Sequence, residues 1–243
     1  MSTTGTDLDR ATLALADDAL VLAQRLGEWA GDAPVLEEEL ALANIALDLL
    51  GQARLLYARI GDEDELAFLR EEREFTNLQL VEQPNGDFAH TIARQLYHSL
   101  HRHLLLGELA AVPGPLRDFA AKAVKETAYH RDHAEQWTLR LGDGTPESTR
   151  RMRAALDALW RYTGELCRPV PGLEEAVDWA ALERRWLDAL TELLDRAGLS
   201  TPTGPRADGW AAGAGREGLH TESFGRLIAE MQHLHRSHPG ASW

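Results

Sequence analysis

The densest group of side chains able to do chemistry is Lys122, Glu126, His130 and His133, followed by Trp137. On a helix these recur at i, i+4, i+8 and i+11, so they share one face. Glu126, His130 and His133 could offer a metal one oxygen and two nitrogens. The same spacing fits a wet face on which Lys122 pairs with Glu126, and Glu126 with His130. Arg131, Asp132 and Glu135 crowd the neighbouring faces, which favours the wet face.

A second group lies in the apolar run 40–52, where Asn44, Asp48 and Gln52 stand four residues apart and form one polar stripe. A carboxylate in such a run is costly to bury unless it is paired, metal-bound or protonated. The stripe also fits a solvent face or an interhelical hydrogen-bond seam. That reading is the one favoured.

A di-iron carboxylate bundle takes one Glu from each of two helices, and an acid followed three residues later by His from each of two others. Three residues after Asp48 stands Gly51, and three after Glu126 stands Tyr129. His130 comes one residue late, a rotation of about 100° around the helix axis. His98, His101 and His103 have no acid three residues upstream, and with His90 they suggest a hydrated face or a contact surface. A complete ligand set is absent. No glycine loop follows a strand, and Cys167 and the serines carry no local nucleophile signature.

Helices must carry these residues, because alternating Val/Ile/Thr runs do not occur while Ala, Leu, Glu and Arg recur at helical spacing. The first helix spans about 7–29, with Leu15, Ala19, Leu22 and Leu26 on one face, and the second about 36–60, stopping at Gly61. An acidic turn over 62–73 and an irregular stretch over 74–86 follow. Asp87 caps a third helix to about 111, and Pro115 opens a fourth that ends at Gly142. Thr145-Pro146 starts a fifth helix reaching about 167, and a sixth spans about 178–197. The stretch 198–218, with six glycines and two prolines, reads as a long ordered loop before a last helix over about 221–235. Four long helices with mostly short connections suggest an antiparallel all-α four-helix bundle with additional C-terminal helices.

The 243 residues fit one domain, 1–243, and the 44% apolar share supplies a core. A net charge of −14 argues against nucleic acid. It also bears on anionic small molecules, which such a chain binds only where a local basic patch or a partner overcomes the general repulsion. One cysteine excludes an internal disulfide. Residues 1–20 lack a basic segment followed by an apolar one, and Asp48 and Arg54 interrupt the most apolar stretch, 40–56. A soluble cytoplasmic protein without membrane or nucleic-acid partners is expected.

Longer strings carry a likeness. They are Gln24-Arg25-Leu26-Gly27-Glu28-Trp29 within 20–29, Ala41-Leu42-Ala43-Asn44-Ile45 through Gln52-Ala53-Arg54, Asn77, and Val81-Glu82-Gln83-Pro84-Asn85-Gly86. Others are Thr91-Ile92-Ala93-Arg94-Gln95, Lys125-Glu126 with Tyr129-His130, Gly218-Leu219-His220-Thr221-Glu222 and Ala229-Glu230-Met231-Gln232. The chain resembles the PaaC-type subunits of the bacterial phenylacetyl-CoA epoxidases, a ferritin-like family. The likeness covers nearly the whole chain and is weakest over about 145–205.

The resemblance implies a ferritin-like fold and a non-catalytic structural subunit without a metal of its own, in which Asp48 and Glu126 are remnant acids. It implies a homologous catalytic partner that holds the di-iron centre, with other epoxidase components delivering electrons. That complex epoxidises the ring of phenylacetyl-CoA with O2 and NADPH in phenylacetate catabolism. It further implies that Glu74, Phe75, Thr76 and Asn77 lie near the CoA thioester where the two subunits meet. The alternative is a metal-dependent ferritin-like oxidase with an irregular site built on Asp48, Glu126, His130 and His133.

Overall fold

The computed structural model of the chain describes residues 3–206 and 214–241, and every regular element among them is a helix. Where length and composition suggest one domain, internal contacts cluster the chain into two compact units, Met1–Pro84 with Gly213–Trp243 and Asn85–Ala212.

In the first unit α1 (Thr3–Gly27) packs along α2 (Leu36–Tyr57). The face expected on α1 is the buried one, with Leu15, Ala19, Leu22 and Leu26 each at most 1% exposed. On α2 the residues Leu42, Ile45, Leu49, Ala53 and Leu56 are buried. The helix ends at Tyr57, short of the expected residue 60, because the chain tightens into a turn there: Ile60 N and Gly61 N both donate to the Tyr57 carbonyl. A wide single turn, Glu65–Leu69, and a 3-10 turn, Glu72–Glu74, follow. The stretch 75–84 has no regular structure but is largely buried, so its polar groups need specific partners. A 3-10 turn, Gly215–Glu217, leads to α7 (Glu222–Ser237), which buries Phe224, Leu227 and Ile228. The expected loop 198–218 therefore contains a helical turn, and its residues 207–213 lie outside those described.

The second unit is built on α3 (Phe88–Ala111), which packs against α4 (Arg117–Gly142), α5 (Pro146–Trp160) and α6 (Trp179–Arg196). Short polar side chains start three of the four helices, Asp87 and Thr145 as expected and Asp178 besides. Asp87 accepts from His90 N at 2.9 Å, Thr145 and Ser148 form a capping box, and Asp178 accepts from Ala181 N at 2.9 Å. The fifth helix stops at Trp160 instead of reaching about 167, and tightens into a 3-10 turn over Arg161–Glu165. There the Thr163 hydroxyl donates to the Trp160 carbonyl at 2.7 Å, competing for a helical acceptor.

The core of this unit is aromatic. Trp160 and Trp186 stack at 6.2 Å with Tyr97 tilted against both, and Trp186 Nε1 donates to the Tyr97 carbonyl at 3.1 Å. Gly142 lets α4 end against the chain after α6, since a Cβ there would lie 2.4 Å from the Ala197 carbonyl oxygen. The hydrated face expected for the histidines of α3 is not found at its centre: His98 and His101 are each 3% exposed. A helix packed by three others leaves little of its surface to water.

Candidate functional site

The stripe on α2 runs from solvent into the protein. Asn44 is exposed, Asp48 half-buried and Gln52 only 1% exposed. Gly51, where a metal histidine would follow Asp48, is exposed, and a Cβ there would meet nothing within 4 Å. A side chain at that position points into open space rather than toward a neighbouring helix.

The stripe on α4 is rotated in the same sense. Tyr129, three residues after Glu126, is 50% exposed, while His130 is buried at 3%. Glu126 lies 3.7 Å from Lys122 Nζ, the ion pair expected of a wet face. Both i+3 positions thus face outward, and the i, i+3 geometry that aims two ligands at one metal is lost on each helix.

Three acid–histidine pairs at i, i+3 do occur, although reasoning from Asp48 and Glu126 passes over them: Asp87 with His90, Glu217 with His220, and Glu230 with His233. Asp87 is occupied as the cap of α3 and as a partner of Arg151 at 3.4 Å. Glu217 is exposed, whereas the His220 side chain is turned inward onto Glu82. Glu230 and His233 both lie on the surface of α7. Among the described residues no three His, Cys, Asp or Glu side chains converge to hold a metal. A di-iron centre of the ferritin-like kind does not fit these residues.

The charged groups that are brought together lie in the first unit, around the stretch 70–84. Asp17 and Asp18 sit buried in the middle of α1. Asp17 accepts from Tyr57 Oη at 2.6 Å, from Arg70 Nη1 at 3.1 Å, and from Thr76 N and Oγ1 at 2.8 and 3.1 Å. Asp18 accepts from Leu78 N at 2.8 Å and from Arg216 at 2.7 and 2.9 Å. Two consecutive carboxylates on the helix therefore hold two alternate backbone amides of the loop. Burial first, then the Asp17 charge, push the Tyr57 phenol well above its usual range. For Arg70 burial acts downward, but Asp17 outweighs it and the guanidinium ends raised.

Glu82 is the second anchor. Its carboxylate takes His220 Nδ1 at 2.9 Å, Asn77 Nδ2 at 3.0 Å and Thr221 N, while its carbonyl takes Arg25 at 2.7 and 3.1 Å. Gly218, at φ +73°, lets the chain cross close to Arg73, whose carbonyl oxygen would lie 2.4 Å from a Cβ.

Within this frame lie the four residues expected near a CoA thioester. Phe75 and Asn77 are 0% exposed, Phe75 packed edge-on to Phe224 at 5.4 Å and under Arg70 at 3.9 Å. Thr76 is half-buried on Asp17, and only Glu74 is exposed, its carboxylate accepting from Glu71 N at 2.7 Å. Sequence reasoning missed Asp17, Asp18, Arg70, Glu82, Arg216 and His220 as a group. The available signal was two adjacent aspartates inside an otherwise apolar face of α1.

The family model for "Phenylacetic acid catabolic protein" matches residues 2–243. The chain belongs to that family. It is also 47% identical over 245 residues to the C subunit of the 1,2-phenylacetyl-CoA epoxidase of Escherichia coli (strain K12), covering 96% of this chain and 97% of that protein. The resemblance seen in the sequence strings thus holds over nearly the whole chain. So does the all-α, ferritin-like class with extra helices after the first four. Among the described residues, the frame around Asp17, Asp18 and Glu82 gathers five of the nine buried Asp, Glu and Arg side chains.

Proposed function

We propose that the chain is a non-catalytic, structural subunit of a phenylacetyl-CoA epoxidase complex in phenylacetate catabolism. Its homologous catalytic partner holds the di-iron centre, and further components deliver electrons from NADPH for the reaction with O2. The chain itself binds no cofactor and works in the cytoplasm.

Family membership and the 47% likeness to the C subunit of an epoxidase support the context. One observation carries the non-catalytic part: the positions that would complete each ligand pair, Gly51 and Tyr129, both face solvent. Among the described residues one helix, α2, is long and apolar enough to cross a membrane by length and composition. It also bears Glu37, Glu38, Glu39, Asp48 and Arg54 and buries one face on α1, which suits a water-soluble assembly.

Toward phenylacetyl-CoA held between two subunits, the role of residues 74–77 is positional. Phe75 and Asn77 are fully buried and fix the backbone from which Glu74 projects.

The test is co-purification of the chain with the catalytic subunit of its own epoxidase, followed by iron analysis of each separated chain. Iron confined to the partner, with ring epoxidation only in the mixture, is the expected result. Stoichiometric iron in this chain, removed by Glu126→Ala, would instead establish the oxidase reading on Asp48, Glu126, His130 and His133.

A further inference from the structure

We propose that Arg216 is a positioning residue for the thioester substrate, acting through Thr76 and Asn77 with buried Asp18 as its anchor; this rests on the reading that sets residues 74–77 beside that substrate. Arg216 stands in the 3-10 turn Gly215–Glu217. Its Nη1 donates to the Thr76 carbonyl at 2.8 Å, and the same nitrogen lies 2.9 Å from Asp18 Oδ1 and from the Ala14 carbonyl. Nη2 holds Asp18 Oδ2 at 2.7 Å, and Asp18 in turn accepts from Leu78 N at 2.8 Å. One ion pair therefore grips the carbonyl before Asn77 and the amide after it. Both peptide planes flanking Asn77 are fixed, and with them its φ and ψ.

Residues 75–78 belong to no helix or strand, so side chains must set their backbone. Thr76 N is held by Asp17 at 2.8 Å, and the Phe75 carbonyl faces His220 Nε2 at 3.0 Å. Three successive peptide groups, 75–76, 76–77 and 77–78, are thus each held by titratable side chains at least 59 residues away along the chain. A buried ion pair is a weak source of stability, because desolvation offsets much of its attraction. What it gives here is a single geometry, since Arg216 presents one rigid planar fork to Asp18 and the Thr76 carbonyl together.

A segment that only joins two elements gains nothing from being fixed so closely. A substrate contact does, because a group set about 1 Å off its place loses both affinity and rate. The frame also reaches the exposed end of the segment, where the Glu74 carboxylate is tied back to Glu71 N at 2.7 Å. Asp18 and Arg216 have side-chain exposures of 2% and 17%, so water screens the pair little and the loop inherits its rigidity.

The test is steady-state kinetics of the assembled epoxidase carrying variants of this chain. Arg216→Lys keeps a charge beside Asp18 but loses the fork. KM for phenylacetyl-CoA should then rise about tenfold while kcat falls less than about threefold, the mark of lost binding geometry. The Tm of the variant should stay within about 3 °C of the wild type, and its co-elution with the catalytic subunit should persist. Asp18→Asn still accepts from Leu78 N but no longer anchors the guanidinium; it should give the same split, and it decides the matter if the lysine variant does not assemble. Photolysis of the wild-type complex with a benzophenone-bearing CoA thioester tests the underlying reading, with an adduct expected within 74–77. An adduct there with KM unchanged in the variants, or a KM rise that only follows lost Tm or assembly, overturns the role of Arg216 and leaves that reading standing. No adduct there removes both.

Discussion

His220 and Glu82 form a pair whose side chains are both fully buried, Nδ1 to Oε2 at 2.9 Å, while His220 Nε2 faces the Phe75 carbonyl at 3.0 Å. Both neighbours are acceptors, an arrangement that favours donation from both ring nitrogens and so the protonated ring. Burial acts to lower its pKa, but the Glu82 hydrogen bond and charge with the Phe75 carbonyl outweigh it, and the pKa is raised.

The pH dependence follows from that sign. A raised folded-state pKa gives stability that is complete below the unfolded value of about 6.5 and is lost as pH rises through the folded value. Urea unfolding of the wild type should therefore weaken relative to His220→Gln on going from pH 6 upward. At pH 6 the variant should lose about 3 kcal/mol, the cost of leaving a buried carboxylate without its cation. A ring titration by NMR that falls below the unfolded value would contradict the assignment.

Breaking the other buried pair should be costly in a graded way. Arg70→Met leaves Asp17 buried with neutral donors only and should cost about 3–5 kcal/mol. Tyr57→Phe removes one hydrogen bond of 2.6 Å and should cost about 1–2 kcal/mol. In a double-mutant cycle the two effects should not add, because both groups hold the same carboxylate. Denaturant midpoints measure all three.

Three glycines should answer a change to alanine differently. At Gly142 and Gly218 a Cβ would stand 2.4 Å from a backbone oxygen, and Gly218 also holds a positive φ of 73°, so each substitution should destabilise by about 2 kcal/mol or more. Gly107, inside α3 with nothing within 4 Å, should gain about 0.5–1 kcal/mol. Thermal melts of the three variants decide it.

Restoring the missing histidines should fail to restore a metal centre. Gly51→His and Tyr129→His place both rings on exposed faces, so the double variant should hold no more iron than the wild type after loading and desalting. Two irons per chain with a carboxylate-bridged absorption spectrum would show that those positions turn inward.

Much of the local structure is legible from single residues. Asp87, Thr145 and Asp178 announce helix starts because a short polar side chain can satisfy amides that have no helical partner. Gly142 marks the end of α4 for a packing reason, the room it leaves for the Ala197 carbonyl oxygen, while α2 stops at Tyr57 before Gly61 is reached. The fifth helix shows the limit: its pattern continues to 167, but a hydroxyl at Thr163 that competes for the Trp160 carbonyl ends it earlier. The histidines of α3 show it again, since residue type suggests hydration while burial is set by how many helices pack on the element.

The sequence by itself determined the helical class, the order of the helices and the family, because periodicity, capping and long shared strings are properties of neighbours along the chain. It also established that Gly51 and Tyr129 stand where ligands would follow Asp48 and Glu126. Only the tertiary structure decided which way those positions face, and that Asp17, Asp18 and Glu82 hold a loop rather than a ligand. The physical reason is plain in α2. It is apolar on two opposite sides, so its own pattern cannot say which side is covered; contact with α1 buries one row and leaves Leu36, Leu40, Leu47 and Leu50 in solvent.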